Sequence, residues 1–199
     1  MDVPAPLRRL AFPLLAFLFG LAALGATALL TLAPATRPAG AAAVGGPFRL
    51  VDQDGRTVTE RDFAGTPHLV FFGFTRCPDV CPTKLFDLSE ALRATGDRGR
   101  GLRALFVTVD PERDTPEVLK SYLGSFDPRI VGLTGDPAAI EATIRAYRAF
   151  ARKVPLKDGD YTMEHTALVY LMGKDGSFVG SFNLNRPPAQ SAEDLLRRL

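Results

Sequence analysis

Two cysteines stand four positions apart in Thr75-Arg76-Cys77-Pro78-Asp79-Val80-Cys81-Pro82-Thr83, and the 199-residue chain has no others. A thiolate is a nucleophile and a soft metal ligand, so a close pair can exchange electrons with another dithiol or converge on one ion. Pro82 lacks an N–H and disfavours helical geometry at the residue before it. The following helix is therefore expected to start at Pro82, with Cys81 as its N-cap. The positive end of the helix dipole would then lower the Cys81 thiol pKa. Side chains four apart on a regular helix are too distant for an unstrained disulfide, which needs Cβ atoms within about 3.5–4.5 Å. Pro78 and Pro82 make this segment a loop, so oxidation stays open, and the wider bite suits two thiolates on one metal ion. A purely structural disulfide closing so short a loop would restrain the unfolded chain little. Two cysteines also exclude a multi-disulfide scaffold and, by themselves, a four-ligand zinc site.

The surrounding pattern sets where this pair is held. Phe48 to Val51 and Thr57 to Val58 flank Asp54-Gly55, a hairpin signal. His68 to Phe74 (HLVFFGF) and Leu102 to Val109 (LRALFVTV) are short apolar runs expected as strands buried on both faces. Between them, Leu85, Leu88 and Leu92 mark a helix from Pro82 to about Thr95. Thr115 caps a helix that opens with Pro116 and runs to about Phe126. A strand at Ile130 to Leu133, a helix from Pro137 to Phe150, a polar loop from Arg152 to Tyr161 and a strand from Thr166 to Met172 follow. A turn at Lys174-Asp175-Gly176, a last strand at Ser177 to Phe182 and a short helix from Ser191 complete the chain. The order is βαβαβαββα after an initial hairpin. It predicts an α/β fold: a thioredoxin-like mixed sheet flanked by helices, with an N-terminal hairpin and an inserted βα unit.

In that layout the cysteine loop sits at the carboxyl end of a strand, where such sheets place their sites. His165 directly precedes the penultimate strand, at the corner that faces the cysteine loop. Thioredoxins have a cis-proline there. The topology thus aims His165 at Cys77 and Cys81. The other histidine, His68, reads as a structural residue at a strand entrance. Met163 and Glu164, beside His165, read as side chains that point away or touch the ligands from outside.

Upstream, no Lys, Arg, Asp or Glu occurs between Arg9 and Arg37, and Leu10 to Ala33 is almost continuously apolar. At about 1.5 Å per residue this run can cross a hydrocarbon layer about 30 Å thick. We expect residues 1–9 in the cytoplasm, 10–33 as a single transmembrane anchor, 34–46 as an Ala/Gly/Pro linker and 47–199 as the folded domain. Arg8 and Arg9 put the domain on the non-cytoplasmic side; we expect a single-pass protein of the inner membrane with this domain in the periplasm. Ala26-Thr27-Ala28 and Ala39-Gly40-Ala41 have the form of signal-peptidase sites, but the run exceeds the usual length of about 7 to 15 residues for a cleaved signal. The basic excess is confined to this tail: residues 1–45 hold Arg8, Arg9 and Arg37 against Asp2, leaving 21 basic and 21 acidic residues in the remainder. A neutral domain gives no support for a nucleic-acid surface.

With these segments in view, the chain resembles the Sco/SenC family of membrane-anchored, thioredoxin-like copper proteins. The likeness lies in FFGFTRCPDVCPTKL (Phe71 to Leu85), FVTVDPERDTPE (Phe106 to Glu117), Leu133-Thr134-Gly135 and YTMEHTALVYL (Tyr161 to Leu171). It implies that Cys77, Cys81 and His165 bind one copper ion, Cu(I) or Cu(II), per domain. It implies delivery of that copper to the CuA centre of cytochrome c oxidase subunit II, reduction of that subunit's cysteines, or both, with an upstream copper donor and a thiol reductant as further partners. The alternatives are a thiol-disulfide oxidoreductase using Cys77 and Cys81, or a redox-signalling protein, without obligatory copper transfer. Asp110 and Asp114 read as organisers of a loop near the metal or partner surface, or as turn and helix caps. Asp79 reads as a partner contact or a turn former. A peroxidase of the peroxiredoxin type, suggested by Val80-Cys81-Pro82-Thr83, fails on spacing, because the threonine such enzymes need three residues before the reactive cysteine is Pro78 here.

Overall fold

The computed structural model describes residues 19–21, 24, 44–157 and 159–198. Contacts divide the chain into Met1–Ala42 and Ala43–Leu199. In the first unit only residues 19–21 and 24 are described, and they are helical. The expected cytoplasmic segment, the anchor over 10–33 and most of the linker otherwise lie outside the described residues. Among the described residues, no helix is long and apolar enough to cross a membrane.

Among the described residues, the second unit has nine strands and four α-helices. In chain order these are β1 (Arg49–Asp52), β2 (Thr57–Thr59), β3 (His68–Gly73), α1 (Val80–Ala94), β4 (Arg103–Thr108), α2 (Pro116–Leu123), β5 (Ile130–Thr134), α3 (Pro137–Ala146), β6 (Ala151–Pro155), β7 (Tyr161–His165), β8 (Val169–Met172), β9 (Phe178–Ser181) and α4 (Pro188–Leu196). Seven strands form one sheet in the order β2-β1-β5-β4-β3-β8-β9. β3, β4 and β5 run parallel, and β1 and β8 flank them antiparallel. This is the mixed sheet that the alternation of strands and helices predicts. β6 and β7 pair only with each other, in a separate two-stranded sheet.

Every residue of β3 is buried, as an apolar strand at the middle of a two-faced sheet must be. Its alternation splits the core. Phe71 and Gly73 project to the side where Phe106 meets Tyr122 of α2. Phe72 projects to the other side, against Tyr147 and Tyr170. α1 buries Cys81, Leu85, Leu88, Ser89, Ala91 and Leu92, a helical spacing that turns one stripe inward. Thr115 caps α2 by accepting from the Val118 N–H at 3.3 Å, and Asp136 caps α3 by accepting from Ala139 at 2.9 Å. At the domain's start, Val44 packs against the core and the Gly45 N–H donates to the Ala146 carbonyl at 2.9 Å.

Several local expectations are corrected. α1 starts at Val80, with Asp79 as N-cap, so Cys81 lies inside the first turn. Pro82 is tolerated because the first intrahelical bond runs from Thr83 N–H to Asp79 C=O; the N–H that Pro82 lacks would have had no helical partner. The span expected as a polar loop, Arg152 to Tyr161, instead holds most of β6 and the start of β7, the paired strands of a hairpin, which are at most half-buried and so carry no apolar run. His165 therefore ends β7, and the penultimate strand of the chain, β8, starts only at Val169. α2 and α3 also stop earlier than expected, at Leu123 and Ala146.

Candidate metal centre

The cysteine loop leaves the C-terminal end of β3 and turns at once. The Cys77 N–H donates to the Phe74 carbonyl at 3.3 Å, and the Cys81 N–H donates to Cys77 Sγ at 3.4 Å. Cys81 is fully buried under α1, whereas Cys77 is half-buried and lines an open groove with Pro78, Val80, Phe150, Met163 and His165. The hairpin brings His165 to this loop from 84 residues further along the chain, with Nε2 3.5 Å from Cys81 Sγ. One donor atom from each of Cys77, Cys81 and His165 lies within 4.8 Å of the other two.

The imidazole is oriented from behind. Its Nδ1 lies 3.1 Å from the Thr166 carbonyl, a contact that assigns the proton to Nδ1 and leaves the Nε2 lone pair facing the thiols. Phe71 and Phe74 meet the ring edge-on at centroid distances of 6.2 and 5.7 Å. Burial pushes the His165 pKa down, against backbone hydrogen bonding that pulls it up, so the ring is neutral and ready to donate electrons at pH 7. Burial pushes the Cys81 thiol up, well above an ordinary thiol. This corrects the expectation from the helix dipole: Cys81 does sit in the first turn of α1, but with no solvent exposure the loss of hydration outweighs the half-charge of the helix end. An ion's own charge reverses that balance, since a coordinating thiol is deprotonated outright.

The acidic candidates divide. Asp114 is fully buried and ties the cysteine loop to β4: its carboxylate accepts from the Thr75 N–H at 3.1 Å, the Thr75 hydroxyl at 2.6 Å and the Thr108 hydroxyl at 2.6 Å. Thr115, not Asp114, caps α2. Asp110 is buried too, and accepts from Arg113 Nε at 2.5 Å and from the Tyr161 hydroxyl at 2.9 Å. Asp79 is exposed, and its side chain makes no capping bond. His68 opens β3, buried, with Nδ1 3.4 Å from the Thr66 carbonyl, as a structural residue should be. Met163, read from the sequence as pointing away or touching the ligands from outside, lines the groove from the same strand face as His165. One contributor was not legible in the sequence: Gly73 supplies the space for Cys81, since a Cβ there would stand 2.8 Å from Cys81 Sγ and 2.6 Å from the Phe106 ring.

A family model described as SCO1/SenC matches residues 36–199. The chain is 40% identical over 148 residues to "Protein SCO1 homolog 1, mitochondrial" of Arabidopsis thaliana, covering 74% of this chain and 44% of that protein. It is 40% identical over 159 residues to "Protein SCO1 homolog, mitochondrial" of Mus musculus, covering 78% and 56%. The chain thus spans about half the length of these relatives. Among solved structures, Bradyrhizobium japonicum ScoI with copper bound superposes with a TM-score of 0.77 at 58% identity, over 79% of this chain and all of the other. Yeast Sco1 with copper bound superposes with a TM-score of 0.71 at 36% identity, over 78% of this chain and 87% of the other.

Proposed function

The chain belongs to the SCO1/SenC family, and from that premise we propose that it is a copper metallochaperone. It takes up one copper ion on Cys77, Cys81 and His165 and hands it to the CuA site of cytochrome c oxidase subunit II. The observation that carries this reading is the convergence of two thiols and one imidazole within 4.8 Å. Two soft sulfurs and one nitrogen suit Cu(I) in a three-coordinate site, and Cu(II) heads the affinity order of divalent ions for such donors. Zinc would ask for a fourth ligand, and among the described residues the group of His, Cys, Asp and Glu donors contains these three.

Each donor has its part in loading and unloading. Cys81, buried and protonated in the metal-free domain, loses its proton as the ion arrives, so uptake releases protons. His165 needs to lose none. Cys77, at the groove, is the donor that an incoming ligand from the acceptor displaces first. The copper ion itself is cargo, and an open three-coordinate arrangement lets the acceptor's sulfur add before a donor here leaves.

The same pair supports a coupled thiol step, favoured by the difference in exposure between the two cysteines. Cys77 as thiolate attacks one sulfur of an acceptor disulfide and frees the other as a thiolate; Cys81 then attacks the mixed disulfide. The products are a Cys77–Cys81 disulfide and two reduced acceptor thiols, and an external thiol reductant restores the pair. We place this activity outside the cytoplasm, on a domain anchored by the 24-residue apolar run from Leu10 to Ala33.

The test is transfer from the copper-loaded full-length chain to isolated apo subunit II, followed by the CuA absorption bands. We expect one copper per chain, bands that grow at the chain's expense, and loss of both in Cys77→Ser. Absence of copper binding, or Cu(II) binding unchanged in His165→Ala, would overturn the reading.

A further inference from the structure

The strand that carries His165 is not part of the main sheet. β6 and β7 form a two-stranded ribbon, which by itself has little power to hold a fixed position. Hydrogen bonds between Phe150 and Thr166 close the base of the ribbon on itself. Met163 and Ala151 pack on the core, but apolar contact sets no register. Direction comes from a polar clamp at the far end of β7.

Arg113 is at the centre of the clamp, with its side chain only 12% exposed. Its Nε donates to Asp110 at 2.5 Å, and its Nη1 donates to the Tyr161 carbonyl at 3.0 Å and to Asp160 at 3.2 Å. The guanidinium carbon lies 3.7 Å from the centre of the Tyr161 ring, and the Tyr161 hydroxyl returns a bond to the other Asp110 oxygen. Both oxygens of one buried carboxylate are thus used, one by the arginine and one by the residue the arginine covers. Charge-assisted bonds in such a setting are short, strong and directional. Tyr161 and His165 lie four apart on β7, hence on the same face, so the position of one along the strand determines the position of the other.

The same turn also holds the other half of the site. Asp114, next to Arg113, fixes Thr75, two residues before Cys77. Residues 110–114 therefore grip the cysteine segment with Asp114 and the β6–β7 ribbon with Asp110, Arg113 and Glu112, the last accepting from Lys153 at 2.6 Å.

We propose that Arg113, with Asp110 and Tyr161, is a positioning residue that holds His165 at the metal, and that this clamp sets how well the site retains Cu(II) relative to Cu(I). The inference rests on the reading that Cys77, Cys81 and His165 take up copper. Its physical basis is that the two thiolates, on the cysteine loop and the first turn of α1, hold Cu(I) wherever the ribbon stands, whereas Cu(II) depends on the imidazole.

The experiment uses the full-length chain and titrates Cu(I) against a competing chelator and Cu(II) separately, with electron paramagnetic resonance for nitrogen coupling to Cu(II). Arg113→Gln is expected to lower Cu(II) affinity at least tenfold, the lower end of what loss of a ligand's orienting partner causes. It should also move the resonance spectrum toward that of His165→Ala and leave Cu(I) affinity within about threefold. Arg113→Lys should recover part of the Cu(II) affinity. Tyr161→Phe, which deletes one hydroxyl and keeps the ring, should shift the same quantities less, and serves if Arg113→Gln does not fold. Wild-type Cu(II) affinity in these variants, or an equal fall for both ions, overturns the proposal while the copper site stands. Unchanged Cu(II) binding in His165→Ala overturns the copper site, and the clamp's role with it.

Discussion

His165 and His68 are the only histidines in the chain, and burial depresses the pKa of both. A buried neutral imidazole binds its proton less readily than the same residue in the unfolded chain. Between the depressed folded value and about 6.5, the unfolded state therefore holds more protons, and stability falls as pH falls. The loss ends once pH is below the folded value. Asp114 works with the opposite sign. Burial, opposed by three hydrogen bonds, raises its pKa, so its contribution grows as pH drops through that raised value toward about 3.9. For the metal-free chain we expect the urea midpoint to decrease from pH 7.5 to pH 5 and His68→Gln to remove part of the slope. A midpoint flat over this range would contradict the burial argument. At this scale the grouping of Cys77, Cys81 and His165 was legible in the sequence, because cysteine and histidine are rare here and fall at strand ends. The acidity of Cys81 was not, because it depends on a roof of apolar atoms that no local pattern records.

The elements were read best where they are apolar or capped. β3, β4 and the Thr115 cap of α2 stand where composition and turn chemistry put them. The β6–β7 ribbon escaped because its residues are polar and at most half-buried, so neither alternation nor an apolar run marks it. Gly73 escaped for a different reason: within HLVFFGF it reads as one more strand residue, while its lack of a Cβ is what lets Cys81 lie against β3. Gly73→Ala would push a methyl group onto Cys81 Sγ and the Phe106 ring. Overpacking of this kind destabilises by about 1–3 kcal/mol. Because one of the two displaced groups is a proposed metal donor, we expect a lower Cu(I) affinity as well as a lower melting temperature. An alanine variant that melts lower but binds Cu(I) as the wild type does would show that only Phe106 moves.

At the scale of the molecule, the sheet order follows from the alternation of strands and helices, and its close pairing of distant segments explains why the chain needs most of its length to make one small site. The 43–199 unit has its own core, and Val44 and Gly45 already belong to it. A fragment of residues 44–199 should therefore unfold in urea in one cooperative transition, at the midpoint of the metal-free full-length chain. A broader or lower transition would mean that the preceding segment shares in the core. The distance between Cys81 and His165 along the chain, 84 residues, has a further consequence. An ion gripped by both is a reversible cross-link. While it holds, it denies the denatured ensemble every conformation in which those two residues drift apart, a restriction worth about 4–5 kcal/mol for a loop of this size. A bound ion would thus make the domain harder to unravel, and on the function proposed above its release to an acceptor would return the domain to a more perishable form.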